Sequence, residues 1–210
     1  RMRIAVFGGT GRTGRLFVEQ ALAAGHEVTV LARTPSKLEV KNESLRIAQG
    51  DALDPDRVKE VVSGADAIVS LLGPAKDAPP QSVSRSMANI LRAAEECGVK
   101  RIVISAGAGV GDPQDKPGLF DKVIKTALML TARDAYEDMK ATVDAVQKSR
   151  LNWTVARAPM LTDDPAKGQP RVGYLGQGVG ARLSRADLAA FMLAQLTDKT
   201  YVGKAPVISN

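Results

Sequence analysis

Glycines at positions 8, 11 and 14, in the stretch Gly8-Gly9-Thr10-Gly11-Arg12-Thr13-Gly14, constrain what this chain can fold into more than any other feature. They follow the apolar run Ile4-Ala5-Val6-Phe7 and open a helical pattern over 12–24. A strand must therefore turn sharply into a helix within a few residues. Glycine lacks a Cβ and tolerates positive φ, so it permits the turn and lets a ligand approach bare backbone. In a dinucleotide-binding turn a pyrophosphate rests on the unpaired N–H groups and positive dipole end of the helix. Gly8, Thr10, Gly11, Arg12, Thr13 and Gly14 are the cofactor contacts that this spacing predicts.

The rest of the chain alternates in the same rhythm. Apolar runs at 3–7, 27–32, 45–49, 67–71, 101–105, 154–157 and 206–208 read as strands. Most are continuous rather than alternating, which marks strands covered on both faces. Helical patterns fill 12–24, 55–62, 81–97, 119–130, 135–148 and 185–196. Asp54-Pro55 starts one helix, and Ser184 with Asp187 starts the last. The pattern predicts an α/β fold with a doubly wound parallel sheet, forming a single NAD(P)-binding domain of the Rossmann type over 1–210. Two Gly- and Pro-rich stretches follow strand ends, where ligands bind in open α/β sheets. They predict substrate-site loops at about 107–135 and 160–182. The segment 119–130 is apolar enough to be core or interface.

Bulk properties narrow the partners. A net charge of +6 favours an anionic ligand. The basic residues are scattered and aromatic residues make up only 4%, which argues against a nucleic-acid surface and for a phosphorylated cofactor. No apolar stretch reaches the roughly 18 residues that would span a bilayer, so no membrane contact is expected. The chain enters a strand directly, which predicts no leader and a cytoplasmic location. The single cysteine, Cys97, reads as a buried structural thiol, and the single histidine, His26, as a structural residue of a turn. No Cys/His cluster suggests a metal. A monomer or small homo-oligomer is expected.

The second strand ends at Ala32-Arg33-Thr34. A carboxylate there would take the ribose 2′-OH of NAD; Arg33 instead suits the 2′-phosphate of NADP(H). Arg12 and Lys37 are expected to approach the same corner. Asp51, after the third strand, either accepts from the adenine amino group or caps a turn. Leu72 and Gly73 follow the fourth strand, and Gly73 would let backbone pass close to the cofactor ribose.

At the other end, Tyr136 and Lys140 share one face of a helix. An ammonium beside a phenol favours the phenolate, which tunes Tyr136 to pass a proton to a carbonyl oxygen. Lys140 would hold the nicotinamide ribose, and Ser105 would orient the substrate oxygen. Pro159, in Ala158-Pro159-Met160, has a fixed φ and would wall the nicotinamide ring. Arg157 either binds a substrate acid or pairs with a carboxylate of the fold.

The glycine turn, Leu71-Leu72-Gly73, the Tyr136/Lys140 pair, the stretch from Leu151 to Pro159, and Ser184-Arg185-Ala186-Asp187-Leu188-Ala189 together resemble the atypical short-chain dehydrogenase/reductases. The resemblance is to the small NAD(P)H-binding group that includes biliverdin-IXβ reductase, also called flavin reductase, and more distantly to NmrA-like proteins. It implies hydride transfer from NADPH to a flavin, quinone or tetrapyrrole at a shallow, open site. Gly107-Ala108-Gly109 stands where the flavin reductases carry a serine-containing segment, and their histidines are missing, which argues against bilin reduction. Two functions follow. One is an NADPH-dependent reductase of a small planar or carbonyl acceptor, possible acceptors including flavin; the other is an NmrA-like NADP-binding sensor without turnover.

Overall fold

A computed structural model describes residues 1–210. Ten strands and six α-helices alternate along the chain. The main sheet has the order β3(Leu45–Gln49), β2(Glu27–Ala32), β1(Arg3–Phe7), β4(Ala67–Ser70), β5(Arg101–Gly107), β6(Asn152–Ala158), β10(Val207–Ser209) and β8(Arg171–Gly173). All pairs are parallel except the last, in which Ile208 faces Val172 antiparallel. The order reverses between β1 and β4, the switch point at which doubly wound sheets leave a crevice beyond the carboxyl ends of their strands.

Successive side chains of each strand go to opposite faces, and both faces are covered. On one face Val6, Val30, Val69 and Val103 meet α1(Arg12–Ala23) and α6(Arg185–Ala194). On the other Phe7, Ile68, Ile102 and Ile104 meet α2(Pro55–Val62), α3(Ser82–Glu96) and α5(Arg133–Lys148). Helix α1 buries Gly14, Phe17, Val18, Ala21 and Leu22, an i, i+3, i+4, i+7, i+8 stripe. Helix α2 starts where Asp54 accepts from the backbone N–H of Asp56 and Arg57 at 3.0 and 3.4 Å.

Three short strands escape sequence reading. β7(Met160–Thr162) pairs with β9(Arg182–Ser184) in a separate parallel ribbon, and β8 joins the edge of the main sheet. Each is only three residues long, too short to show a period. Helix α4(Leu119–Thr131) corrects an expectation: it forms as predicted but buries none of its residues, so it is not core. Leu119 and Leu130 are each 82% exposed and Phe120 69%. Cys97 caps α3 half-buried rather than buried. His26 Nδ1 accepts from Met2 N at 3.1 Å, a structural tie between the starts of β1 and β2. No helix is long and apolar enough to cross a membrane.

Candidate functional site

The glycine turn sits at the switch point. Gly8 ends β1 with φ +79°, and Gly11 caps α1 in an extended conformation, its N–H donating to Gly8 O at 3.3 Å. No side chain caps this helix, so its first N–H groups have no intrahelical or side-chain partner. The turn divides a cleft into two cavities that share Gly11 and the Leu71–Pro74 ridge at the end of β4. The first, about 370 Å³, is lined by Gly8, Thr10, Arg33 and Asp51. The second, about 540 Å³, is lined by Arg12, Thr13, Gly14, Ser105, Gly107 and Pro159.

The glycines separate into those the fold needs and those it does not. A Cβ on Gly8 would lie 2.6 Å from the carbonyl carbon of Leu71, and one on Gly14 would lie 2.0 Å from Gly8 O. These two are required for β1, β4 and α1 to pack as they do. A Cβ on Gly11 meets only Gly8 O at 3.4 Å, and one on Gly73 or Gly107 meets nothing within 4 Å. The chain itself has room for a side chain at these three places, and all three face the cleft. The cradle a Cβ would fill there fits a dinucleotide pressed against backbone.

In the first cavity, Arg33 is exposed and takes part in none of the ten ion pairs of the chain. Its guanidinium is free to meet a phosphate. Lys37 lies on the adjoining 3₁₀ turn, Pro35–Lys37, and does not line the cavity. Asp51 lines it, but its Oδ1 already accepts from Leu53 N at 2.9 Å, so a turn-capping role is present whatever else it does. Arg12 departs from expectation. It lines the second cavity instead of joining Arg33, because its guanidinium pairs with Asp163.

In the second cavity, half-buried Ser105 and Pro159 come together with exposed Gly107 and with Thr13. Tyr136 and Lys140 do not reach this lining. The inward face of α5 consists of Met139, Thr142, Val143 and Val146, and Lys140, one residue past Met139, falls about 100° round the helix. Lys140 Nζ bonds Asp144 Oδ2 at 3.0 Å on the exposed side, which raises its pKa. Tyr136 turns toward α4, where Lys125 Nζ lies 5.9 Å from its ring centroid. Met139, Leu161 and Arg185 line the cavity in addition. Sequence reasoning took Arg185 only as the first residue after a cap; nothing in its neighbours places it on the cleft.

Arg157 is the buried hub behind the site, and its role is structural. Its guanidinium grips both carboxylate oxygens of Asp115 at 2.8 Å and donates to Ala205 O and Val110 O at 2.7 and 2.8 Å. The side chains are 0% and 6% exposed. Asp115 also accepts from Asp112 N and Leu175 N at 2.9 and 3.0 Å. Burial alone would raise the Asp115 pKa; the Arg157 bonds and the two backbone N–H groups outweigh it and hold the carboxyl low. This cluster pins the 107–118 loop to the 162–181 loop. Of the predicted loops at 107–135 and 160–182, only Gly107 and Leu161 reach the cavity.

Asp187 plays a similar part at the start of α6. It accepts from Ser184 Oγ, Lys167 N and Gly168 N at 2.7, 2.8 and 3.0 Å and from the Asn210 amide. These bonds outweigh its burial and lower its pKa.

Residues 8–199 match the family model described as NAD(P)H-binding. YwnB of Bacillus subtilis is 26% identical over 93% of this chain and 92% of its own length. The reductase pytE of Aspergillus terreus is 26% identical over 98% of this chain and 97% of its own length. A wide-type short-chain dehydrogenase/reductase from Veillonella parvula, solved in complex with NADP, superposes with a TM-score of 0.80 at 16% identity, covering 100% of this chain and 94% of that one. The chain belongs to the NAD(P)H-binding family.

Proposed function

We propose that the chain is an NADPH-dependent reductase that passes hydride to a small planar acceptor, a flavin or a quinone. The observation that carries this reading is the make-up of the second cavity. Its lining holds Ser105 and Thr13 hydroxyls, two arginines and apolar walls, and contains no Tyr, His, Lys, Asp, Glu or Cys. A bound nicotinamide supplies the hydride. Pro159 and the Leu71–Pro74 ridge would hold that ring, and Met139 and Leu161 would add apolar walls beside it. Ser105 Oγ donates to an acceptor oxygen and fixes its orientation. A carbonyl needs a proton delivered as hydride arrives. A flavin or quinone draws its proton from water and needs little beyond proximity and orientation. The likeness to a reductase from A. terreus and to a structure solved with NADP supports the same reading.

Two expected outcomes follow from these placements. Tyr136→Phe leaves the turnover of a flavin unchanged, because the phenol does not line the cavity; a loss of tenfold or more would return Tyr136 to the reaction. Arg33→Asp weakens NADPH binding by about 1–3 kcal/mol, roughly 5- to 150-fold, and leaves NADH nearly unaffected. Titration of each nucleotide checks this, and equal losses for both would remove Arg33 from the 2′-phosphate.

One observation favours the second reading, an NADP-binding interaction protein. The apolar side chains Leu119, Phe120, Val123, Ile124 and Leu130 of α4 are all exposed, and clustered exposed apolar residues mark interaction surfaces. A chain that binds NADPH and oxidises none with any acceptor would support it.

A further inference from the structure

Asp163 follows β7 directly and lies across the N-terminal ends of two helices. One carboxylate oxygen pairs with Arg12, the first residue of α1, and the other with Arg185 Nη1 at 2.8 Å, the first residue of α6. Both arginines line the Ser105 cavity beside the glycine turn. Two guanidiniums thus converge beside the glycine turn and the uncapped N-terminal end of α1, where the bridging phosphates of a dinucleotide belong, and a carboxylate holds them.

We propose that Asp163 is an internal stand-in for the cofactor's pyrophosphate. Dinucleotide binding transfers Arg12, and with it the pull on Arg185, from the carboxylate to phosphate, and it frees the short stretch 163–166. Asp163 is thereby a residue that sets cofactor affinity.

The exchange runs downhill. The Asp163 side chain is 61% exposed and that of Arg12 67%, so water screens their attraction and the pair is weak. A phosphate offers more charge and a better match to the guanidinium fork. The released carboxylate is hydrated at little cost because it already faces solvent. Movement is confined by its neighbours. Thr162 ends β7, and Lys167 N and Gly168 N are tied to Asp187 at 2.8 and 3.0 Å, so only residues 163–166 lie between fixed points. Without a ligand, Asp163 keeps the two arginines from repelling each other and keeps Arg12 in the cleft.

The inference rests on dinucleotide binding and not on hydride transfer. Its test is titration of the intact chain with NADP⁺, followed by calorimetry, for wild type, Asp163→Asn, Arg12→Gln and the double variant. Asp163→Asn is expected to tighten NADP⁺ roughly three- to tenfold, and the gain is expected to vanish in the Arg12→Gln background. Hydrogen exchange at 163–166 is expected to quicken when NADP⁺ binds the wild type. Unchanged or weaker binding by Asp163→Asn would overturn the proposal, as would slower exchange of that stretch. A wild type that binds no NADP⁺ would sink the cofactor reading itself and this proposal with it.

Discussion

Asp115→Asn is expected to destabilise the fold by about 3–5 kcal/mol, read as a fall in the denaturant midpoint at neutral pH. The substitution keeps the shape of the side chain and removes its charge. Arg157, fully buried, then carries an uncompensated charge with backbone carbonyls and the Tyr174 ring, 6.0 Å from its Cζ, as its neighbours. Replacing both partners with apolar residues of similar volume, as in Arg157→Met with Asp115→Leu, is expected to recover much of the loss, because the cost lies in the stranded charge more than in the missing pair. A loss below about 1 kcal/mol for Asp115→Asn would mean that the pair is not buried as described.

The same residue gives a pH dependence of known sign. The Asp115 and Asp187 carboxyls both titrate lower in the folded chain than in the unfolded one. Their contribution is therefore fully present above the unfolded value of about 3.9 and is lost as pH falls through the folded values. Stability is expected to stay level from pH 7 to about 5 with respect to these two groups and to drop below about 4, where the unfolded chain binds more protons. Asp115→Asn should flatten that drop.

Gly14→Ala is the second large effect. Its Cβ would sit 2.0 Å from Gly8 O and 2.8 Å from Gly9 Cα, backbone atoms that cannot rotate away. Helix α1 must lift from β1, at an expected cost of about 3 kcal/mol or more. Gly11→Ala is the control. Its φ of −72° suits any residue and its Cβ has room, so stability is expected to change by no more than about 1 kcal/mol. Because Gly11 borders both cavities, that Cβ would stand in the way of a dinucleotide spanning them. NADP⁺ affinity is expected to fall roughly tenfold or more while the fold survives, an overpacked contact costing about 1–3 kcal/mol. Unaltered affinity would show that no ligand approaches Gly11.

The parts of the molecule that were readable in the sequence are those governed by local rules. β1, β2 and β3 match their expected bounds because each is an apolar run closed by turn residues, and the glycine turn is a local steric device. What escaped depends on packing at a distance. β7, β8 and β9 exist only because partners at positions far along the chain align with them. Tyr136 and Lys140 do share a helix, but the apolar residues Met139, Val143 and Val146 decide which side of α5 turns inward, and that turns Lys140 to solvent. The choice between ligand and structural partner for Arg157 was settled by Asp115, which lies 42 positions earlier. The pairing of Arg12 with Asp163, 151 positions away, is equally invisible in the local sequence, and it sets Arg12 on the second cavity.

Hydride transfer from NADPH to a planar acceptor is the activity proposed for this cleft. The most direct measurement is oxidation of NADPH, followed by its near-ultraviolet absorbance, with FMN, a quinone and an aldehyde offered in parallel. Turnover is expected with FMN or the quinone, faster with NADPH than with NADH, and none with the aldehyde. NADPH binding confirmed by thermal shift, with no oxidation by any acceptor, would contradict it.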